Sequence, residues 1–222
     1  MSDSEIVIIY IDGNIGSGKT TLIQNITDMY PNVYPIYENV SQWINSKLLE
    51  DYYSNPKKYA FEFQMEVIKS RVIQYNEVLS RIVTNKYNVV ILLIERSFES
   101  NMYCFAKRLY KQGNISRKQW NMYMKEYNNI LQILQQNYHT KATRIYYIRL
   151  NTNPGVCKSR IKQRNRSEEN GITLSFLEEI DMYHKQLYDV LKTNNTVLIL
   201  NDVCITDVVK CITKNMKVFT CG

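Results

Sequence analysis

Eight residues, Gly13-Asn14-Ile15-Gly16-Ser17-Gly18-Lys19-Thr20, match GxxxxGK[ST] at every fixed position. A glycine-rich turn of this kind aims several backbone N–H groups at one anion, and the helix after it adds its positive N-terminal end. Lys19 is expected to reach the β- and γ-phosphates of a bound nucleoside triphosphate, and the Thr20 hydroxyl to coordinate Mg²⁺, with Thr21 continuing into the helix. What remains open is the phosphoryl acceptor: water, protein, nucleic acid or a small molecule.

Carboxylates bear on that question. Glu38 follows a short β-rich run, with Trp43 five residues later, and Glu95-Arg96-Ser97 ends another run, LLIERS. A carboxylate facing a triphosphate can act as general base for a hydroxyl acceptor or as a metal ligand. An arginine beside it can neutralise charge on the moving phosphoryl group, although Glu95 and Arg96 could also simply pair with each other. Within the helical segment 56–85, Ala60, Gln64, Val67, Arg71, Val78 and Ile82 recur at helical spacing, so two polar residues interrupt one apolar face. A Gln amide offers a donor and an acceptor side by side, as a nucleobase edge does. The plainer alternative leaves Gln64 and Arg71 at the margin of the stripe, in water. Tyr53, Phe61 and Phe63 could be stacking surfaces or core. The run Lys158–Arg166 places Arg160 and Arg164 four residues apart on one helical face. Such arginines either close over phosphates as a lid or form a solvated basic face.

The elements that would position these groups read as follows. Near-continuous apolar strands are expected at 6–12, 89–95, 144–150 and 196–200, with a weaker one at 33–39. Helices are expected at about 19–29, 42–51, 57–85, 98–111, 116–138, 153–164, 174–192 and 205–216. Apolar strands alternating with helices imply a doubly wound α/β fold with a parallel sheet, its ligand crevice beyond the carboxyl ends of the strands. Asp12, Glu38 and Glu95 stand at or just past such ends. With 222 residues and no linker or repeat, one domain over 1–222 is expected. The N-terminal MSDSEIVII carries acids where a secretory leader would carry Lys or Arg, and its apolar run is short for a membrane span. Five cysteines without CxxC spacing point to free thiols in a reducing, cytoplasmic-type compartment and away from zinc. A net charge of +7 suits a nucleic-acid binder and an enzyme of polyanionic substrates equally. The abundance of Ile, Asn, Lys and Tyr fits an AT-rich genome, such as that of a large DNA virus.

Taken in order, these motifs resemble the deoxyribonucleoside kinase family, which includes deoxycytidine kinase, deoxyguanosine kinase, mitochondrial-type thymidine kinase and the insect multisubstrate enzyme. The similarity runs through DGNIGSGKTT, ENVSQW, Tyr53 with FEFQ, Arg71, ERSFESNMYCFA and RIKQRNRSEENGITLSFLEE, nearly the whole chain. It implies a P-loop NTPase-type five-stranded parallel sheet with an arginine-rich lid at about 160–172. By resemblance, Glu38 is the base for the 5′-hydroxyl and Arg96 supports it. Gln64 reads the base edge with Trp43, Phe63 and Phe105 around it, and Tyr53 and Glu169 hold the 3′-hydroxyl. Arg160, Arg164 and Arg166 embrace the phosphates, and Glu95 holds Mg²⁺ with Thr20. Family members are dimers joined by long helices, here 57–85 and 116–138.

Departures from the family concern the base. Arg71 is similar to the deoxycytidine- and deoxyguanosine-type members, which usually pair it with Asp at the position of Asn101; Val67 is more like the thymidine-preferring enzymes. Arg71 is expected to be held by the Asn101 carbonyl and to occupy the space of a thymine methyl group. Deoxycytidine or a deoxypurine is therefore expected ahead of thymidine. Three rivals are weighed against this reading. A thymidylate (nucleoside monophosphate) kinase would need a cationic acceptor site where Glu38 stands. A nucleic-acid-dependent NTPase would need more than scattered basic residues. A non-catalytic regulator would be expected to lack Glu38, Arg96 or the lid arginines, and all are present. No membrane and no specific nucleic acid is expected as a partner.

Overall fold

The computed structural model describes residues 5–82, 87–135 and 142–201. In chain order the elements are β1 (Glu5–Gly13), α1 (Lys19–Met29), β2 (Val33–Ile36), α2 (Val40–Asn45), α3 (Leu48–Ser54), α4 (Pro56–Ile82) and β3 (Val89–Glu95). There follow α5 (Phe98–Ser100), a π-helical turn (Asn101–Ala106), α6 (Lys107–Lys111), α7 (Arg117–Leu134), β4 (Ala142–Asn151) and α8 (Pro154–Arg164). A 3-10 turn (Ser167–Glu169), α9 (Leu174–Leu191) and β5 (Thr196–Asn201) complete the described residues. The five strands form one sheet in the order β2-β3-β1-β4-β5, and every pairing is parallel. This is the α/β architecture expected from the sequence. The expected helix 205–216 lies outside the described residues.

Alternation along β1 divides the core. Val7, Ile9 and Ile11 face α1, packing with Leu22, Ile23 and Ile26. Ile6, Ile8 and Tyr10 face the other way, against Ile68, Tyr75, Val78, Tyr123, Tyr127 and Leu187 from α4, α7 and α9. Each fully buried aliphatic side chain contributes roughly 1.5–3 kcal/mol, so covering both faces holds β1 at the centre of the sheet. Residue 12, on the same face as Tyr10, is Asp. Its carboxylate is 0% exposed and accepts from Ser97 N at 2.9 Å, Ser97 Oγ at 2.7 Å and Tyr188 Oη at 3.0 Å. It ties the end of β1 to the turn after β3 and to α9.

The expected elements shift in three places that bear on the site. The weak strand at 33–39 ends at Ile36, which puts Glu38 in the following loop. The expected helix 42–51 is two helices, because Lys47 adopts a left-handed φ of 59°. The expected helix 98–111 carries a π-helical turn over Asn101–Ala106, a local widening often found at functional sites. In α4, Gln64 is 2% and Arg71 1% exposed, so they lie inside the apolar stripe and not at its wet margin.

Replacing Tyr188 by Phe removes one of the three bonds to Asp12 and leaves the packing. Hydrogen bonds to charged groups are worth about 1.5–3 kcal/mol, so the variant should lose that much unfolding free energy in denaturant titrations; an unchanged midpoint would show the bond to be without weight.

Candidate active site

Residues that follow β1, β2 and β3 line a cavity of about 600 Å³, to which Arg160, Arg164, Arg166, Glu169 and Phe176 also contribute. That volume lies within the range of small-molecule sites. At one end is the glycine-rich turn. Gly16 has φ 77°, and a Cβ there would lie 2.6 Å from the Cys157 carbonyl oxygen, so only glycine fits. Gly18, at φ 97°, caps α1 without any side-chain hydrogen bond, which leaves the first-turn N–H groups of α1 to an incoming anion. Lys19 is 5% exposed and donates to the carbonyl oxygens of Asn14 at 2.9 Å and Gly13 at 3.3 Å. Asn14 holds the turn in place by donating to Leu177 O at 2.7 Å, while Thr152 Oγ1 and Arg160 Nη1 both donate to Ser17 O at 3.1 Å.

Glu38 faces this turn. Arg96 Nε donates to its Oε1 at 2.8 Å. Burial alone would raise the Glu38 carboxyl, but Arg96, Lys19 and Arg71 outweigh it and hold the group below the usual carboxylate range. Arg96 has φ 66°, a left-handed conformation that costs a non-glycine residue about 1–2 kcal/mol. Its N–H donates to Ile11 O at 2.9 Å and its Nη1 to Gly13 O at 3.2 Å, so the end of β3 is stitched to the end of β1. Beside it, Thr20 Oγ1 donates to Glu95 Oε1 at 2.8 Å. Two hard oxygen donors next to a phosphate site fit Mg²⁺, which is commonly held by one or two protein oxygens, substrate phosphates and water.

The far end is aromatic and polar together. Tyr52 stacks on Phe63 at 4.7 Å, Trp43 meets Phe63 edge-on at 5.4 Å, and the Arg96 guanidinium lies 4.5 Å from the Phe105 ring centre. Gln64 Oε1, Asn101 Nδ2 and Trp43 Nε1 are buried without hydrogen-bond partners, and all three residues line the cavity with Val67. Buried polar atoms are nearly always satisfied, so these three call for a ligand with polar edges. Tyr53 and Glu169 also line the cavity. Arg164 grips Glu169 through two bonds, at 2.7 and 2.6 Å, and Arg166 lies 3.5 Å from the same carboxylate.

The cavity therefore brings together Ile15, Gly16, Gly18, Lys19, Thr20, Thr21, Glu38, Trp43, Tyr53, Phe63, Gln64, Val67, Glu95, Arg96, Asn101, Phe105, Arg160, Arg164, Arg166 and Glu169. Gly13, Asn14 and Ser17 shape the turn from behind it. Arg71 corrects an expectation. It does not line the cavity, and its Nη1 donates to the backbone carbonyls of Glu95 and Arg96, at 2.6 and 2.5 Å, in place of the Asn101 amide. The carbonyls win because a left-handed turn at the end of β3 leaves two of them facing the same buried guanidinium.

Residues 9–219 match the family model described as deoxynucleoside kinase. The chain belongs to the deoxynucleoside kinase family. Among its relatives is a fowlpox virus protein named as a probable deoxycytidine kinase, 32% identical over 178 residues, which cover 80% of this chain and 70% of the relative. A Gallus gallus deoxycytidine kinase 2 is 29% identical over 80% of this chain and 72% of its own. A Dictyostelium discoideum deoxyadenosine kinase is 30% identical over 82% and 67%.

Several lining residues of this deoxynucleoside kinase escaped sequence reasoning: Tyr37, Val40, Ser41, Leu49, Tyr52 and Phe176. Tyr37 and Tyr52 each precede a residue that was identified, so adjacency was the available signal. Phe176 has none, because α9 reaches the site only through tertiary packing.

Lys19 carries a pH prediction. Burial first, then Arg96, lower its ammonium to about 8 against the opposing pull of Glu95, Glu38 and Asp12. Below that pH the free protein already holds the proton. Above it the amine is neutral, and a triphosphate must draw a proton back. Triphosphate affinity should thus be full below about pH 8 and decline above, with roughly 0.5–1 proton taken up per ligand at pH 8.5. Calorimetry in buffers of different ionisation enthalpy measures this, and equal uptake by Lys19→Met would refute the assignment to Lys19.

Proposed function

We propose that this kinase transfers the γ-phosphoryl group of ATP to the 5′-hydroxyl of a deoxyribonucleoside, in nucleotide salvage, with Glu38 as general base. The observation that carries this reading is the Glu38 carboxylate, held ionised by Arg96 at 2.8 Å and placed in the same cavity as the phosphate-binding turn. A base must be ionised and within reach of the proton it removes. Glu38 would take the proton of the 5′-hydroxyl as its oxygen bonds to the γ-phosphorus, and the bond to the β-phosphate oxygen would break to release ADP. Lys19 and the N–H groups of the turn would hold the β- and γ-phosphates, and Arg160, Arg164 and Arg166 would close over them and exclude water. Mg²⁺, held by Thr20, Glu95 and phosphate oxygens, would supply charge neutralisation on the triphosphate.

The nucleoside would lie with its base against Gln64 and between Trp43, Phe63 and Phe105, and with its 3′-hydroxyl on Tyr53 and Glu169. The unpartnered amide atoms of Gln64 and Asn101 support this placement. Deoxycytidine or a deoxypurine is proposed ahead of thymidine. Support comes from the names of the relatives and no longer from Arg71 as a filler of the methyl space.

A screen of nucleosides and nucleoside monophosphates with labelled ATP tests the whole reading. Deoxynucleosides should be phosphorylated, deoxycytidine or a deoxypurine before thymidine. Turnover of monophosphates alone would replace it with the monophosphate-kinase reading, in which Glu38 would oppose an acceptor dianion. In the same assay Glu38→Gln should lower kcat about 10²–10⁴-fold and leave nucleoside binding near wild type; loss of binding with kcat retained would make Glu38 a binding residue only.

We also propose a homodimer through α4 and α7. Exposed Ile73 on α4, 59% accessible, and Met122 on α7, 50% accessible, support it. Sedimentation at micromolar concentration should give twice the 26.3 kDa chain mass, and a monomer there would rule it out.

A further inference from the structure

Arg71 heads the largest fully buried side chains and is 1% exposed. Expected at the base, it instead bonds two carbonyl oxygens at the end of β3 and lies near a carboxylate in the loop after β2. Nη1 bonds the carbonyl oxygens of Glu95 and Arg96, and Nη2 lies 3.8 Å from Glu38 Oε1 with no hydrogen-bond partner. The two carbonyls and the nearby carboxylate belong to three residues of the proposed transfer site: the oxygen donor beside Thr20, the arginine that pairs with the carboxylate, and the carboxylate itself.

We propose that Arg71 is a positioning residue of phosphoryl transfer: it locks the left-handed turn at Arg96 so that the Arg96 side chain is aimed at Glu38, and it sets Glu38 from behind. The inference rests on the reading of Glu38 as the general base.

The geometry separates this role from base reading. A base-reading arginine must present donors to the cavity, and Arg71 lies outside the cavity lining. Nor is it a plain structural anchor. Anchoring would need only the two carbonyls, whereas the planar fork continues toward Glu38 with its second nitrogen. A guanidinium can hold several acceptors at fixed angles; a lysine ammonium is a point charge without that fork. Arg96 is left-handed at φ 66°, where a small rotation of the 95–96 peptide swings its side chain away from Glu38. Arg71 bonds both carbonyls of that turn and so resists the rotation. The chain of cause runs from α4, which buries Arg71, through the end of β3, to the carboxylate.

Wild-type turnover of any deoxynucleoside tests the kinase reading by itself; comparison with Arg71→Gln and Arg71→Lys tests the inference. Misplacement of reacting groups by about 1 Å costs on the order of 10²-fold, and Arg71→Gln should lose kcat on that scale. Its deoxycytidine dissociation constant and its deoxycytidine-to-thymidine ratio of kcat/KM should each stay within about threefold of wild type. Arg71→Lys, which keeps the charge and loses the fork, should lie between the two in kcat. If the Gln variant does not fold, the Lys variant decides by the same split. A tenfold change in the base ratio with kcat retained would make Arg71 a base-reading residue and overturn the proposal. A lowered melting temperature with kcat unchanged would reduce it to a structural one and overturn it equally.

Discussion

The ion pair between Glu38 and Arg96 is the constraint to which the surrounding elements answer. A buried carboxylate is costly unless it is paired and hydrogen-bonded, and here burial alone would push Glu38 toward its neutral form. Arg96 reverses that, but only from a backbone conformation that a non-glycine residue resists. The strand end that carries Arg96 is accordingly fixed from three sides. Ile11 accepts from its N–H, the Glu95 and Arg96 carbonyls accept from Arg71, and the adjacent Ser97 is bound twice by Asp12. Strain at one residue persists where neighbours over-determine it. The parallel pairing of β1 with β3, from Glu5↔Val89 to Ile11↔Glu95, delivers these groups in register.

The phosphate turn depends on the same strand ends. Gly13 ends β1, and its carbonyl accepts from both Arg96 Nη1 and Lys19 Nζ. The Glu38–Arg96 pair and the glycine-rich turn thus share an anchor at the central strand. From the other flank, Thr152 after β4 and Arg160 on α8 converge on the Ser17 carbonyl. A turn held at both shoulders keeps its N–H groups pre-aimed, which is where electrostatic catalysis gains most.

Legibility in the sequence followed locality. The turn Gly13–Thr20 was readable because its chemistry depends on adjacent residues, and α1 matched at 19–29 because that helix starts at the turn. The polar interruptions at Gln64 and Arg71 were readable because burial on a helix face has a period. Their targets were not. Gln64 does line the cavity, whereas Arg71 is captured two turns on by backbone carbonyls that no side-chain pattern reveals. The left-handed residues Lys47 and Arg96 were equally hidden, since neither is glycine or asparagine and propensity gives no warning. Lys47 split an expected helix in two. The π-helical turn at 101–106, which carries the lining residues Asn101 and Phe105, has no sequence signal of its own.

Charge in the cavity completes the argument about what it can hold. Its lining includes five cations, Lys19, Arg96, Arg160, Arg164 and Arg166, against three carboxylates, Glu38, Glu95 and Glu169. They are not interchangeable. Arg96 is committed to Glu38 and Arg164 to Glu169 with bonds under 3 Å. Among the described residues Lys19 donates only to loop carbonyls and forms no direct ion pair, so its charge is available to an incoming phosphate. Among the described residues Arg160 is likewise bonded only to a backbone carbonyl, 3.1 Å from Ser17 O and beside Gly18. The two lining cations without a carboxylate partner, Lys19 and Arg160, therefore sit at the glycine-rich turn, while Arg96 pairs with Glu38 and both Arg164 and Arg166 with Glu169. An anion at the turn meets Lys19 and Arg160 without displacing a carboxylate, whereas Glu38 and Glu169 are already held by arginines. That division of charge, more than the net excess of cations, separates the available cations of the cavity from those already committed to carboxylates.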